Sequence, residues 1–333
     1  MGFKYSSAGK TDIGLVRSGN EDNFRIIEDN NLFIVCDGMG GHQAGEVASK
    51  EACDIIGLAF SNLAEEITSD SALKFPAAFP PGGDLLVKAI RLANRSIFTK
   101  SKNDPQLSGM GTTVVAAVLE NNMISIAHVG DSRAYKMVGD RLMRLTTDHS
   151  WVEELQKTGM YTEAEANKMA GKNVITRALG VHETVEVDFR TDAVTAGEIY
   201  IFCSDGLCGF VEDETISDIA IESNGHVNKI CSNLVAAANE RGGQDNVTVV
   251  AFKIDQVDGE PGHEVISPVT ISKESDETLL RENEIVAAIE ETKKKVDEIL
   301  VRENGKSGGA LSLILVVAAI IVILVLIYYS VIK

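Results

Sequence analysis

The stretch FIVCDGMGGHQAGEVAS, residues 33–49, decides the interpretation of this chain. An apolar run leads directly into Asp37, and four of the eight residues that follow this aspartate are glycine. The apolar run predicts a buried strand, and the residues from Gly45 onward show a helical pattern. A carboxylate at the end of a buried strand costs free energy unless a cation receives it. The stretch therefore predicts a strand, a glycine-rich loop and a helix, with a cation-binding aspartate where the strand ends.

The composition describes a globular and strongly acidic protein. The chain has 333 residues, a hydrophobic content of 44% and a net charge of −18, from 49 acidic and 31 basic residues. This length allows one large domain or two ordinary ones. Because the main body has no long lysine and arginine run, the sequence excludes nucleic acid as a partner, since a phosphate backbone needs clustered positive charge. The five cysteines form no CxxC pair and are interpreted as free thiols in a reducing compartment.

The C-terminal residues differ from the rest of the chain. Residues 311–329, LSLILVVAAIIVILVLIYY, contain no charge, and a helix of this length measures about 28 Å, close to the hydrocarbon core of a bilayer. A buried core helix is the alternative, but core helices usually keep a polar face. Several lysines and arginines precede the segment, and only Lys333 follows it. The positive-inside rule therefore predicts a single-pass anchor in the cell membrane, with residues 1–306 in the cytoplasm.

The sequence predicts three segments: a soluble body at residues 1–254, a connection at residues 255–306 and the anchor at residues 307–333. The connection begins with a linker, because prolines, glycines and acidic residues cluster before residue 276. It continues as a charged juxtamembrane helix over residues 277–303. The apolar positions of this helix keep a heptad-like spacing for only about two heptads, which favours a solvated helix over a coiled coil.

Short strand-like runs occur in clusters in the soluble body, and helical patterns fill the gaps between them. This order favours an α+β layered fold over a doubly wound parallel sheet. Asn121-Asn122 is interpreted as a hairpin turn. The predicted strands cover residues 12–17, 24–28, 32–36, 112–119, 123–129, 133–137, 198–203 and 247–254, and the predicted helices cover residues 45–64, 85–100, 151–158, 214–223 and 227–241.

Acidic residues stand beside apolar runs in four further motifs, RSGNED, VGDSR, CSDGL and GGQDN. Converging carboxylates cannot all stay ionised in a small volume without cations. Carboxylate, carbonyl and water oxygens suit Mg²⁺ and Mn²⁺, and glycine after an aspartate lets its carbonyl approach as a further ligand. Two such ions activate a bridging water and hold a phosphate oxygen, and Arg17 has the geometry to clamp that phosphate. A single Asp-Gly pair is more often an ordinary turn, so the prediction depends on the combination.

Eight motifs occur in this chain in the order found in bacterial PP2C-family phosphatases: RSGNED, FIVCDGMGGHQAGEVAS, SGMGTT, VGDSRAY, LTTDHS, ITRALG, FCSDGL and GGQDNVT. The chain thus resembles a family of metal-dependent protein serine/threonine phosphatases over roughly residues 5–254. The resemblance implies an αββα sandwich of four layers, in which helices flank two central antiparallel β-sheets. The C-terminal membrane helix would be added to this fold.

The resemblance also implies a metal site for two core ions, Mn²⁺ or Mg²⁺. Asp37 would bridge the two ions, and the carbonyl oxygen of Gly38 would bind one of them. Asp205 and Asp245 would bind the other ion. Asp131 matches a carboxylate that helps to hold a third, more weakly bound ion in the bacterial branch.

Further roles follow from the same resemblance. Arg17 matches the arginine that binds the substrate phosphate. Asp22 would hold metal-bound water in an outer shell, where Glu21 and Asn246 are also expected. His42 is a candidate proton donor to the leaving group, since many eukaryotic members have a histidine three positions earlier, and water is the alternative donor. Residues 149–179 match a variable flap beside the active site.

The implied function is hydrolysis of phosphoserine and phosphothreonine on cytoplasmic proteins by a water activated between two metal ions. The expected partners are phosphorylated proteins, an opposing membrane serine/threonine kinase and the lipid bilayer around residues 311–329. One alternative is a membrane-tethered pseudophosphatase that binds phosphoproteins without cleaving them, but this alternative predicts missing metal carboxylates and none is missing. Another alternative is a phosphatase dedicated to one regulatory phosphoprotein, which the catalytic motifs do not distinguish from a general one.

Overall fold

The computed structural model describes residues 3–40, 44–69, 79–162, 165, 174–272 and 276–304. It divides the chain into two compact units, residues 1–275 and residues 276–333. The strands of the first unit are β1 (Phe3–Asp12), β2 (Asp22–Ile27), β3 (Leu32–Met39), β4 (Gly111–Thr112), β5 (Val114–Glu120), β6 (Met123–Val129), β7 (Arg133–Val138), β8 (Arg141–Arg144), β9 (Val187–Ala193), β10 (Ile199–Cys203), β11 (Val247–Val257) and β12 (Ile266–Ile271). Its helices are α1 (Ala44–Asn62), α2 (Ala64–Ser69), α3 (Pro81–Asn103), α4 (Trp151–Lys157), α5 (Asp205–Cys208), α6 (Asp213–Glu222) and α7 (Val227–Glu240).

The strands form two antiparallel sheets. One sheet has the order β1-β11-β10-β7-β8, and the other has the order β12-β9-β6-β5-β3-β2, with the short β4 paired to β3. Hairpins join several neighbours, and the β5–β6 hairpin turns at Asn121-Asn122, where both residues have positive φ, 49° and 61°. Such a pair of left-handed residues matches the right-handed twist of the strands, so the predicted turn is confirmed.

A core of aromatic and aliphatic side chains lies between the two sheets. Phe33 of one sheet stacks on Phe252 of the other, with 3.9 Å between the ring centroids, and Tyr200 stacks on the same ring at 5.1 Å. Phe33 and Val35 point into this core because side chains alternate along a strand. Cys36, the residue after Val35, is buried on the opposite face, beside Cys53 of α1. β3 is therefore apolar at every position until it reaches Asp37.

Helices cover the outer face of each sheet. α1 and α3 pack on the sheet that contains β3, β5 and β6. On the other sheet, Ile216 of α6 and Ile230 and Leu234 of α7 share a core cluster with Ile201 and Val249. The order of layers is helix, sheet, sheet and helix, which confirms the predicted αββα sandwich.

The prediction of a strand at residues 12–17 is wrong. β1 ends at Asp12, and the chain then turns away from the sheet. Gly14 adopts a φ of +80°, outside the extended range, and the N–H of Leu15 donates to the carbonyl oxygen of Gly243 over 2.7 Å. The apolar residues of this segment belong to a loop. The strand is instead the preceding ten-residue segment, which pairs with β11 along its whole length.

The predicted linker contains a strand that the sequence analysis does not identify. β12 pairs with β9 at the edge of the larger sheet, and its residues are mostly exposed. Pro268 lies at a register irregularity between Ile266 and Val269, where its missing N–H interrupts no ladder. An edge strand with few buried side chains leaves no apolar alternation in the sequence. The ordered part of the first unit therefore extends past residue 254.

The second unit contains a long charged helix, α8 (Asp276–Asn304), which confirms the helix predicted at residues 277–303. Ion pairs along this helix include Lys295 Nζ with a carboxylate oxygen of Glu291 at 2.5 Å. None of the helices that the structure describes is long and apolar enough to cross a bilayer. The predicted membrane segment, residues 311–329, lies outside the described residues.

Candidate active site

One pocket of about 280 Å³ opens where the ends of β3, β10 and β11 approach each other. Its lining joins segments that are distant in sequence, since each sheet contributes strand ends and the loop after β1 closes one side. The residues that line it are Arg17, Glu21, Asp37, Gly38, Met39, Gly40, Thr113, Asp131, Ile175, Asp205, Asp245 and Asn246.

The backbone of Asp37 is fixed by two threonines of the neighbouring segment. The N–H of Asp37 donates to Oγ1 of Thr113 over 3.0 Å. The carbonyl oxygen of Asp37 accepts from the N–H of Thr113 and from Oγ1 of Thr112, both over 2.8 Å. These bonds use only main-chain atoms of Asp37. Its carboxylate is therefore held at the pocket and left for other ligands.

Asp22 lies directly opposite Asp37 in the β2–β3 ladder and is buried. Its Oδ2 accepts a hydrogen bond from Oγ of Ser204 over 2.8 Å, and the same oxygen of Ser204 accepts from the N–H of Thr248 over 3.0 Å. Within the described parts of the chain, Oδ1 of Asp22 is buried and has no hydrogen-bond partner. A buried carboxylate oxygen without a partner is costly unless a cation or a water bound to it completes the site.

Both Asp-Gly pairs of the site need glycine for space. A Cβ on Gly38 would lie 2.1 Å from the carbonyl oxygen of Gly45, and one on Gly206 would lie 1.8 Å from the carbonyl oxygen of Asn246. In addition, the N–H of Gly38 donates to the carbonyl oxygen of Glu21 over 3.1 Å. The glycine after each aspartate thus lets a second backbone segment pack against the strand end.

Asp131 follows a sharp turn at the end of β6. Gly130 adopts a φ of +108°, and a Cβ at this position would lie 2.6 Å from Cβ of Thr113. Ser132 Oγ and Thr113 Oγ1 are 2.7 Å apart and share a hydrogen bond. Thr113 therefore contacts both the Asp37 backbone and the Asp131 turn, and it links these two acidic residues.

Arg17 reaches the pocket from an exposed loop. Its Nη2 lies 2.8 Å from Oδ2 of Asp245, and half of its side chain is exposed. Asn246 holds the base of this loop, since its Oδ1 accepts from the N–H of Glu21 over 2.8 Å and its Nδ2 donates to the carbonyl oxygen of Ile13 over 3.0 Å. The loop is thus fastened at both ends while the guanidinium remains accessible.

The electrostatics of the cluster favour cation binding. Burial raises the pKa of the Asp37 carboxyl well above its ordinary value, and the charges of Asp22 and Asp205 raise it further. Burial also raises the pKa of Asp22 to about 7, although the hydrogen bond from Ser204 opposes this shift. Burial and the charge of Asp205 raise the pKa of Asp131 to about 7. Such groups ionise readily only when a cation compensates them, so the donor set fits hard divalent ions.

The structure brings the predicted site residues together with two exceptions. Asp22 lies behind the pocket, in contact with Ser204, rather than on its surface. His42 lies outside the described residues. The residues in or beside the pocket are Arg17, Glu21, Asp37, Gly38, Asp131, Asp205, Asp245 and Asn246.

Three hydroxyl residues of the site were not identified by the sequence analysis: Thr113, Ser132 and Ser204. Each stands within two residues of a strand end in a quoted motif, SGMGTT, VGDSRAY or FCSDGL. Their position beside an aspartate or a glycine turn is the available signal. Hydroxyls at such positions often bond to nearby main-chain or acidic groups, which is their function here.

Comparisons with known proteins identify the class. The family described as Protein phosphatase 2C matches residues 12–247. Serine/threonine phosphatase stp of Listeria monocytogenes is 35% identical over 249 residues, which cover 74% of this chain and 94% of that protein. The chain therefore belongs to the protein phosphatase 2C family. Within the family it is a bacterial-type protein serine/threonine phosphatase.

Solved structures agree with this assignment. The crystal structure of serine/threonine phosphatase Stp1 from Staphylococcus aureus has a TM-score of 0.67 and 30% sequence identity, and it covers 77% of this chain and 97% of that chain. The catalytic domain of the phosphatase PstP in complex with 2 manganese ions has a TM-score of 0.64 and 32% identity, and it covers 76% of this chain and 99% of that chain. Metal dependence is thus shared within the family.

Proposed function

We propose that this protein hydrolyses phosphoserine and phosphothreonine on cytoplasmic proteins with the help of bound Mn²⁺ or Mg²⁺. The observation that carries the proposal is the cluster of aspartate carboxylates that line the pocket, beside which the guanidinium of Arg17 is accessible from solvent. Asp37 and the carbonyl oxygen of Gly38, together with Asp205 and Asp245, would hold two core ions, and Asp131 would help to hold a third. When bound, such ions supply a nucleophile at neutral pH and neutralise charge on the phosphate.

The residues of the chain itself bind and orient the phosphate. The guanidinium of Arg17 carries five N–H donors, and the bond to Asp245 uses one of them. The remaining donors suit two phosphate oxygens at once, with Asp245 holding the guanidinium in place. Met39 and Ile175 give the pocket an apolar wall beside the carboxylates. His42, three residues after Met39, is proposed as proton donor to the leaving group, with water as the alternative.

The test of this proposal is phosphate release from a phosphothreonine peptide by the full chain in detergent micelles. We expect phosphate release with Mn²⁺ or Mg²⁺ and none with chelator. In Asp37→Asn the rate of release should fall at least about a hundredfold, because this variant removes the carboxylate that would bind both core ions. A folded wild-type protein that releases no phosphate with any ion would overturn the proposal and favour the pseudophosphatase that binds phosphoproteins without cleaving them.

The role of His42 is tested with two leaving groups. A His42→Ala variant is expected to lose turnover on an alkyl phosphate, which needs a proton on the departing oxygen, and to keep turnover on an aryl phosphate, which needs it less. Equal turnover of the variant and the wild type on both substrates would assign the proton to water.

We also propose that residues 311–329 anchor the enzyme in the cell membrane, with the catalytic domain in the cytoplasm, where it opposes a membrane serine/threonine kinase. The support is the uncharged segment and the basic residues that precede it. Tethering to the same surface raises the effective concentration of enzyme at its substrates without new contacts. Removal of residues 307–333 should release the enzyme from membranes and weaken its effect on kinase signalling at matched expression. If the shortened chain reverses kinase signalling as well as the full chain does, the anchor does not serve to concentrate the enzyme at its substrates.

The breadth of substrates is a separate question. A phosphoproteome of cells without the enzyme distinguishes a general phosphatase, for which many phosphorylation sites rise, from one dedicated to a single regulatory phosphoprotein, for which one site rises.

A further inference from the structure

A buried histidine connects the Asp131 turn to the wall of the pocket. His149 is 3% exposed and lies in the loop before α4. Its main-chain N–H donates to the carbonyl oxygen of Gly130 over 2.9 Å, and its ring Nδ1 accepts from the main-chain N–H of Gly130 over 3.0 Å. Both main-chain polar atoms of the residue before Asp131 are therefore bonded to one histidine.

The bond from Gly130 fixes the tautomer of His149. Because Nδ1 accepts a hydrogen bond, the neutral ring carries its proton on Nε2. Nε2 lies 3.2 Å from Oδ2 of Asp188 and 3.2 Å from Nη1 of Arg177. Because the guanidinium has no acceptor, the proton on Nε2 is donated to the carboxylate of Asp188. Arg177 Nη1 donates to the other carboxylate oxygen of Asp188 over 2.8 Å. Burial would raise the pKa of Asp188, but the bonds from His149 and Arg177 lower it below its ordinary value.

The same residues do not form a second metal site. Ligand atoms of His128, His149 and Asp188 lie within 4.8 Å of one another. Both nitrogens of His149 are engaged, since one accepts from Gly130 and the other bears the proton. The guanidinium of Arg177 already places a positive charge against Asp188. His128 Nε2 lies 2.9 Å from the carbonyl oxygen of Thr147. The ring of His128 stacks on the ring of His149, with 4.7 Å between the ring centroids.

His149 also contacts the segment that forms the apolar wall of the pocket. Its carbonyl oxygen accepts from the N–H of Thr176 over 2.8 Å, and the adjacent Ser150 pairs with Ile175 in an isolated bridge. Ile175 lines the pocket. One residue is thus bonded on one side to the Asp131 turn and on the other to the wall beside it.

We propose that His149 is a positioning residue that holds the carboxylate of Asp131 in the orientation required to bind a cation. Within the part of the chain that the structure describes, no side chain hydrogen-bonds to the Asp131 carboxylate, so the direction of this carboxylate depends on its backbone. That backbone follows Gly130, whose φ of +108° is held by the two bonds to His149. The inference rests on the proposed function, because it assigns a role at the same cation site.

Two conservative substitutions separate the two sides of the ring. In His149→Asn the amide oxygen takes the place of Nδ1 and still accepts from Gly130, whereas in His149→Gln the amide reaches only the position of Nε2. We therefore expect His149→Asn to keep the Asp131 site and His149→Gln to impair it. His128→Gln is the matched control, because it removes the stacked ring and leaves the acceptor for Gly130 in place.

The measurement is Mn²⁺ binding to the full chain in detergent micelles, by isothermal titration calorimetry. In His149→Gln we expect the weakest Mn²⁺ site to lose about tenfold in affinity, since loss of a group that orients a ligand typically costs 10–100-fold. The affinities of the tight sites should stay unchanged. Asp131→Asn should show the same pattern. The double variant with both His149→Gln and Asp131→Asn should bind Mn²⁺ no more weakly than Asp131→Asn alone. The peptide KM should stay unchanged while the Mn²⁺ concentration for half-maximal activity rises.

Three outcomes would overturn the inference: wild-type binding by His149→Gln, equal impairment of the Asn and Gln variants, or equal impairment of His128→Gln. If the Gln variant does not fold, as judged by circular dichroism, wild-type protein labelled with ¹⁵N-histidine decides instead. A spectrum of His149 with the proton on Nε2 supports the inference, and one with the proton on Nδ1 contradicts it. If the wild-type protein binds no Mn²⁺ and releases no phosphate, the proposed function itself is wrong. This result is distinct from the three outcomes above, in which the wild type is active.

Discussion

Steric room at single residues controls the shape of the metal site. Gly38 follows Asp37 and Gly206 follows Asp205. Neither glycine has a positive φ, so backbone conformation is not the reason for glycine at these positions. Their lack of a side chain matters because another carbonyl oxygen occupies the space of a Cβ. The two Asp-Gly pairs are therefore not ordinary turns, although this dipeptide usually marks one.

Substitution of these glycines by alanine should deform the site. In Gly38→Ala or Gly206→Ala the backbone must move, since backbone atoms rather than a flexible side chain meet the new methyl group. We expect a loss of about 1–3 kcal/mol in the free energy of unfolding, measured by denaturant titration, and weaker Mn²⁺ binding. Gly19→Ala is the control, because a Cβ there meets nothing within 4 Å. Equal effects of all three substitutions would show that space is not the cause.

The acidic residues of the site were predictable, but the residues that orient them were less so. The recurrence of a carboxylate beside an apolar run in several motifs identified Asp37 and Asp205, although neither aspartate would have been identified by its own motif alone. Ser204 and His149 act through hydrogen bonds to segments far away in the chain. A serine or histidine in a loop has many ordinary explanations, so only the three-dimensional pairing shows its role.

At the scale of elements, periodicity identified the buried strands and failed at the sheet edges. β3, β6 and β10 are mostly apolar because they are buried on both faces, and their boundaries were predicted within a few residues. β9 mixes charged and apolar residues, and β12 is mostly exposed. β9 is held between β6 and β12, and β12 depends on its pairing with β9, which a local pattern does not reveal.

Removal of β12 should weaken the domain. The N–H of Ile266 donates to Oγ1 of Thr191 over 2.7 Å, and Thr270 Oγ1 donates to Asp188 over 2.9 Å. A fragment that ends at residue 262 loses these bonds, and we expect it to be less stable to denaturant than a fragment that ends at residue 275, by about 1–3 kcal/mol. The shorter fragment should also associate through the exposed edge of β9.

The two fragments form a matched pair. Both keep β11 complete, and both keep the bond from the N–H of Gly262 to the carbonyl oxygen of Asn121. The difference between them therefore reports on residues 263–275, which comprise β12 and two flanking contacts, Glu264 with Thr191 and Ser272 with Arg91. Identical unfolding midpoints, with both fragments monomeric in analytical ultracentrifugation, would show that β12 contributes nothing to stability.

At the scale of the whole molecule, the sandwich brings acidic strand ends together. Antiparallel sheets stacked face to face place the ends of β3, β10 and β11 at one pocket, and the sequence predicted this convergence from the motifs. The consequence for stability is not visible in any single motif. Burying several carboxylates at one place raises their pKa values together, so folding without cations has a free-energy cost that depends on pH.

The ion-free protein should become less stable as pH rises. The pKa values of Asp22 and Asp131 are raised to about 7 in the folded state, against an ordinary value of 3.8. Between these values the folded chain binds more protons than the unfolded chain, so the free energy of unfolding falls with rising pH. Above pH 7 both carboxylates are ionised and the loss is complete. Mn²⁺ at pH 8 should restore stability, because it binds the folded state only.

The Asp22→Asn variant isolates this effect, since its neutral amide imitates the protonated acid. His128 titrates in the opposite direction, because burial lowers its pKa to about 4, and the total pH dependence is therefore a mixture. The difference between Asp22→Asn and wild type removes that contribution. We expect ion-free Asp22→Asn to gain on the order of a few kcal/mol over wild type between pH 4 and pH 8, measured by thermal unfolding in chelator. Asp140→Asn, at an exposed turn, should follow the wild-type curve throughout. If Asp22→Asn also followed it, Asp22 would be ionised in the ion-free fold, and the buried oxygen would have a compensating charge that its described neighbours do not provide.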